Sequence, residues 1–249
     1  MSLAASRLPA HEVHVSFLDP AIGGLDAPQW SRLLGWLQPD ERARFDRFRH
    51  LDGRASFLIG RGLARQVLSD ATGIPPADWR FREGLNGRPE IASPDTTLRF
   101  NLAHSGGVVA CVIGNGVDVG VDVEHLDRPA FLHDVAKRCC SEEELADINN
   151  EPEEGRQRRF LVYWTLKEAY LKALGLGISV HLPDVSFSLA SGEPQLHLRG
   201  SLADDQRPWI FGLAQPTERH IMAAASSYRQ EQPMELRFHR FRASRFADD

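Results

Sequence analysis

The sequence predicts an α+β protein organised as a pseudo-dimer of two similar α+β halves, and three observations lead there. Apolar patterns of period 2 and period 3.6 follow one another in the same order twice along the chain. The stretch LRFNLAHSGGVVACVI at 98–113 is echoed by WIFGLAQPTERHIMAAA at 209–225. No long linker or low-complexity segment separates the copies, so the join falls near 114–119 and the halves are placed at residues 1–116 and 117–249.

In the first half, residues 13–18 alternate apolar and polar side chains, as a half-buried strand does. Residues 30–37 and 39–68 are helical by period, with Leu58, Ile59, Leu63, Val67 and Leu68 on one apolar stripe. TGIPP at 72–76 breaks that pattern, and 79–82 forms a short strand ending in a turn at Asn86-Gly87. Strands at 98–103 and 108–113 flank a turn at 104–107. In the second half, 119–123 is a strand and 156–174 a strong helix stopped by Gly175. Strands at 185–190 and 195–199 surround the turn Ser191-Gly192-Glu193, and strands at 209–214 and 221–226 close the repeat. In the tail, 236–246, Arg237, Arg240, Arg242 and Arg245 alternate with Phe238, Phe241 and Phe246. That pattern reads as a brace or a frayed end ahead of a partner contact.

Composition narrows the function. A net charge of −5 supplies no global basic field for nucleic acid. No apolar run approaches the ~20 residues that span a bilayer, and the first residues lack a signal-peptide core, so a cytoplasmic protein off the membrane is expected. Cys111, Cys139 and Cys140 are odd in number and lack CxxC spacing, which points to reduced structural thiols. Only three of the 29 basic residues are lysine, and two of these, Lys167 and Lys172, stand close together. Lysine carries a compact ammonium on a flexible stem, suited to reaching a phosphate.

Two segments carry the chemistry. In GVDVE at 120–124, Asp122 and Glu124 share one face of a strand while Val121 and Val123 share the other. Side-by-side carboxylates repel unless a cation or proton lies between them, so this is either a solvated acidic edge or a cation site. In WTLKEAYLK at 164–172, Leu161, Trp164, Leu171 and Leu174 are expected to bury. Glu168 and Lys172, four apart, share another face, as an i,i+4 salt bridge or as part of a site. Together the segments offer three carboxylates and one or two ammonium groups, a set suited to Mg²⁺ bound to a diphosphate.

The ordered pair GVDVE and WTLKEAYLK closely resembles the two signature motifs of the Sfp-type 4′-phosphopantetheinyl transferases. The likeness runs over residues 35–226. LQPDERARFDRF at 37–48 resembles the family's first helix, and Gly87-Arg88-Pro89 its Gly-Lys-Pro turn with arginine for lysine. Asn101-Leu102-Ala103-His104-Ser105 resembles its Asn-x-Ser-His-Ser segment, and 141–144 its Ser-x-x-Glu step. The family's monomer is itself a pseudo-dimer of α+β halves.

The resemblance implies transfer of 4′-phosphopantetheine from coenzyme A to a serine of an acyl, peptidyl or polyketide carrier protein, with Mg²⁺, releasing 3′,5′-ADP. It implies Asp122, Glu124 and Glu168 as Mg²⁺ ligands, Lys172 on the coenzyme phosphates with Lys167 as helper, and His104 on the nucleotide's phosphates. Arg88 would lie beside the adenine and 3′-phosphate, and Arg44 and Arg54 at the 3′-phosphate, among seven arginines at 42, 44, 47, 49, 54, 61 and 65. Glu41 departs from the family by standing where a phosphate-binding lysine often occurs. The base taking the serine proton would be Glu144, or in competition Glu168. The first half would hold the nucleotide and the second the metal, in a monomer. Set against this are a non-catalytic coenzyme A or carrier-binding module and an unrelated Mg²⁺-dependent phosphohydrolase.

Overall fold

Strands pair in the same way in both halves of the chain. In the first half, β1 (Glu12–Leu18), α1 (Ala27–Trp36), α2 (Pro39–Arg47) and α3 (Leu51–Thr72) precede β2 (Arg80–Glu83), β3 (Pro89–Ser93), β4 (Leu98–Ser105) and β5 (Val108–Asn115). In the second, β6 (Val119–His125), α4 (His133–Cys139), α5 (Glu142–Asn150) and α6 (Glu153–Leu174) precede β7 (Val185–Ser188), β8 (Gln195–Leu198), β9 (Trp209–Ala214) and β10 (His220–Ser227). A last strand, β11 (Glu235–Arg240), follows. The structure, a computed structural model, describes residues 6–19, 24–127, 133–177, 180–228 and 234–247.

β1 runs antiparallel to β5 and β5 to β4, just as β6 runs antiparallel to β10 and β10 to β9. The hairpins β2–β3 and β7–β8 match, and α3 and α6 each have 22 residues. Both long helices end on a left-handed glycine, Gly73 (φ 81°) and Gly175 (φ 73°), where a side chain would be strained. The expected duplication is therefore present in topology.

Alternation along the strands assigns three cores. Val109, Cys111 and Ile113 of β5 face α3, while Val108, Ala110 and Val112 face the other sheet. In β10, Ile221, Ala223 and Ala225 join the α6 core, while Met222 and Ala224 join the core between the sheets. The order of layers is helix, sheet, sheet, helix. β4 and β6 run side by side at the seam: the Val121 N–H donates to Asn101 Oδ1 (3.1 Å) and the His125 N–H to Ser105 Oγ (3.2 Å). All three cysteines are free and buried, and among the described residues no helix is long and apolar enough to cross a membrane.

Within the first half, the structure differs from expectation in two places. The helix expected over 39–68 is two helices, because Phe48 turns extended after α2 and packs on Phe57 with ring centroids 5.4 Å apart. Neither proline nor glycine marks that break; a tertiary contact makes it. β3 was not anticipated. In the tail, the brace holds over the frayed end: β11 lies parallel to β1, and Phe241 and Phe246 are buried in the first core. Residues 235–246 thus follow the second half in sequence but complete the first sheet, covering an edge of β1 that would otherwise be open.

Candidate active site

The site begins at a glycine. A Cβ on Gly120 would lie 2.0 Å from the Ala169 carbonyl oxygen and 2.5 Å from the Ala173 nitrogen, so only glycine lets α6 lie directly on β6. On β6, Val119, Val121 and Val123 enter the core between the sheets, leaving Asp122 and Glu124 on the α6 side. Both are buried, at 6% and 5% exposure, so the alternative of a solvated acidic edge is excluded. A buried carboxylate is costly unless paired or hydrogen-bonded, and the two are handled differently. Glu124 accepts from the Trp164 indole N–H on Oε1 (3.1 Å) and from the Ser105 hydroxyl on Oε2 (3.2 Å). Asp122 Oδ1 receives the Lys172 ammonium at 2.6 Å, but its buried Oδ2 has no hydrogen-bond partner.

Trp164, Glu168 and Lys172 are spaced i, i+4, i+8, one stripe on α6. Sequence reading placed Trp164 with the buried leucines; its indole instead serves the site. The signal was available, since a buried tryptophan must find an acceptor for its N–H and this one keeps the Glu168–Lys172 spacing. Burial, only partly offset by Lys172 and reinforced by Glu124 and Glu168, pushes the Asp122 carboxyl up to about 6. A single buried carboxyl raised in this way is under-neutralised by its surroundings.

His104 comes from the end of β4. It lines a cavity of about 510 Å³ together with Asp52, Ser56 and Ile59 of α3 and Gly106 and Gly107 of the β4–β5 turn. Burial, followed by the Lys172 charge, holds its imidazole below the usual range. The turn is clamped from the second half: a Cβ on Gly106 (φ 53°) would lie 2.5 Å from His125 and 2.8 Å from His220. Since a carbonyl only accepts, His220 Nε2 donates to the Ser105 oxygen (3.1 Å). A larger cavity of about 810 Å³, beside β7–β8 and β9, holds none of the expected site residues.

Other expected site residues are engaged elsewhere. Lys167, 1% exposed, spends its ammonium on Glu144 Oε2 (2.7 Å) and on the carbonyls of Cys139 (2.7 Å) and Leu182 (3.1 Å). Glu144 also accepts from the backbone N–H of Ser141 (2.8 Å) and of Phe187 (2.9 Å), completing the capping box of α5. Neither group can turn to a substrate without breaking this network, so both leave the site. Arg88 donates to the carbonyls of Lys172 (2.7 Å), Ala173 (3.2 Å), Phe100 (3.2 Å) and Val119 (3.4 Å). It caps the open end of α6 and ties the halves together, rather than presenting its donors to a phosphate. Glu41 is the buried counter-ion of Arg65 (2.5 Å) and Arg61 (3.2 Å), which explains why no lysine stands there. Arg44, 3.6 Å from Glu83, and Arg54, 3.8 Å from Asp46, are held loosely at the surface over the rings of Phe57 and Phe45.

Among the described residues no three His, Cys, Asp or Glu side chains are drawn together as they stand, and the Lys172 ammonium sits where a cation would touch Asp122. The donor set nevertheless fits a hard divalent ion. It offers carboxylate oxygens alone, and one of them, Asp122 Oδ2, is buried without any donor.

Buried carboxylates beside a part-exposed lysine at the seam of a duplicated fold make a charged site able to take an ionic ligand, and known proteins supply the class, the phosphopantetheinyl-transferring enzymes. Residues 118–225 match the family model described as the 4′-phosphopantetheinyl transferase superfamily, and residues 26–114 that of the 4′-phosphopantetheinyl transferase N-terminal region. A 4′-phosphopantetheinyl transferase of a Nostoc species, HetI, is 35% identical over 68% of this chain and 73% of its own length. One from Thraustochytrium is 34% identical over 78% and 72%, and Sfp of Bacillus subtilis 31% over 64% and 69%. The holo-[acyl-carrier-protein] synthase structure of Thermotoga maritima aligns with a TM-score of 0.38 at 25% identity, covering 45% of this chain and 64% of that one. The chain belongs to the 4′-phosphopantetheinyl transferase superfamily and is an enzyme of that kind.

Proposed function

We propose that this enzyme transfers 4′-phosphopantetheine from coenzyme A to a serine of an acyl, peptidyl or polyketide carrier protein, releasing 3′,5′-ADP and depending on Mg²⁺. The observation that carries the reading is the Asp122 carboxylate, buried with one oxygen on Lys172 and the other without a partner. Asp122, Glu124 and Glu168 would hold the cation, whose charge would offset that of the coenzyme's diphosphate.

Lys172 is 29% exposed on a flexible stem, so a diphosphate oxygen can draw its ammonium away from Asp122. His104, favoured as neutral imidazole, donates its one N–H to a phosphate oxygen. The carrier's serine oxygen bonds to the phosphorus bearing the pantetheine arm while the bond from that phosphorus to the bridging oxygen breaks, and the electron pair leaves with 3′,5′-ADP. With Glu144 saturated, Glu168 is the acceptor for the serine proton. Arg44 and Arg54, loosely paired and stacked on rings, would exchange their carboxylates for the 3′-phosphate. Such a transfer depends on positioning and charge neutralisation more than on covalent help.

Intact-mass spectrometry of an apo carrier protein after incubation with coenzyme A, Mg²⁺ and enzyme, with EDTA as the paired control, tests this. A gain of one phosphopantetheine that EDTA abolishes is expected. No gain across several carrier classes, with coenzyme A still bound, would leave a binding module instead.

A further inference from the structure

We infer that Ser105 and Trp164 are positioning residues for the cation, clamping Glu124 with one donor from each half of the molecule. The inference rests on the metal reading proposed above. Ser105 belongs to the β4–β5 end of the first half and Trp164 to α6 of the second; they donate to different oxygens of one carboxylate, at 3.2 and 3.1 Å. Both donors are neutral. They fix the plane of the carboxylate without cancelling its charge, whereas Lys172 does cancel charge at Asp122. Carboxylates that ligate metals are typically oriented by such partners, and losing one costs about 10–100-fold in metal affinity.

Ser105 is itself held from several sides. Its Oγ accepts the His125 N–H (3.2 Å), which turns its own proton toward Glu124. Its carbonyl takes the N–H of His220, whose other ring nitrogen accepts from Thr217 (2.6 Å). Trp164 is fixed by its place one helical turn before Glu168 and by Phe160, with ring centroids 6.1 Å apart. Because the two donors come from opposite halves, Glu124 is oriented only when the halves are docked. The seam between the repeats is then part of the metal site as well as a packing surface.

The test is Mn²⁺ titration of the full chain followed by electron paramagnetic resonance, in the unaltered protein, Trp164→Phe and Ser105→Ala. Phenylalanine keeps an aromatic ring and removes only the N–H. The expected result is a Kd for Mn²⁺ raised about tenfold or more in each variant. The KM for coenzyme A at saturating metal should stay unchanged, and kcat should recover as metal is raised. A purely structural role would not give that rescue. Unchanged Mn²⁺ affinity in a folded Trp164→Phe protein overturns the inference; if that variant fails to fold, Ser105→Ala decides by the same criterion. Should the unaltered protein modify carriers but bind no Mn²⁺, the metal reading falls and this inference with it.

Discussion

α6 carries two lysine–carboxylate pairs five residues apart with almost the same separation, Lys167–Glu144 at 2.7 Å and Lys172–Asp122 at 2.6 Å. They differ in what surrounds them. Lys167 uses its three donors on one carboxylate and two carbonyls, and both Glu144 oxygens take backbone donors besides. Lys172 is part-exposed, and Asp122 retains a buried oxygen without a donor. A saturated pair holds elements together; an unsaturated one keeps charge in reserve for a ligand. Burial alone does not separate the two roles, since Asp122 and Glu144 are both buried. The count of satisfied donors and acceptors does.

The largest expected effect breaks the saturated pair. Lys167→Met should cost about 3–5 kcal/mol in urea unfolding by leaving Glu144 buried and uncompensated, while kcat of the folded fraction is unchanged. A collapse of kcat at full stability would return Lys167 to the site. The unsaturated pair should show the opposite trade. Asp122→Asn should lower transfer by about 10²–10³-fold, the scale of removing one electrostatic stabiliser, yet stabilise the metal-free protein.

The sign follows from the raised carboxyl. Its folded value of about 6 exceeds the ordinary 3.8, so the native state holds its proton more tightly. That contribution to stability is complete below 3.8 and lost as pH rises through about 6. The advantage of Asp122→Asn should therefore vanish at low pH, grow between those values and level off above them at up to about 3 kcal/mol. Thermal melts with chelator across that range check it; a variant less stable than the parent at neutral pH would show Lys172 already compensates Asp122.

The smallest effect sharpens the comparison at the end of the same helix. Arg88→Gln should cost about 1–3 kcal/mol in stability through unpaired carbonyls, with equal KM changes for coenzyme A and dephospho-coenzyme A. A loss confined to coenzyme A would put Arg88 on the 3′-phosphate, as the family resemblance implied.

Much of this was legible beforehand. The repeated order of elements and the strand parity that sets Asp122 beside Glu124 are local periodicities and appear in the structure; the Glu168–Lys172 spacing sets both on one stripe of α6, from which the Lys172 ammonium reaches Asp122. The Ser141-x-x-Glu144 spacing entered only through the family likeness; the structure shows it to be the capping box of α5, which accounts for part of what Glu144 does. Not legible were the break between α2 and α3, made by Phe48 on Phe57, and the return of β11 to β1 across the whole chain.

By itself the sequence determined the two halves, the face each carboxylate takes and the family, because these depend on residue identity and on spacing along a strand or helix. Tertiary structure alone decided which lysine is committed, that Arg88 clasps the halves, and that Ser105 and Trp164 meet on Glu124. Those outcomes depend on which donors and acceptors packing leaves unsatisfied, and groups far apart in the chain settle that only once they are brought together.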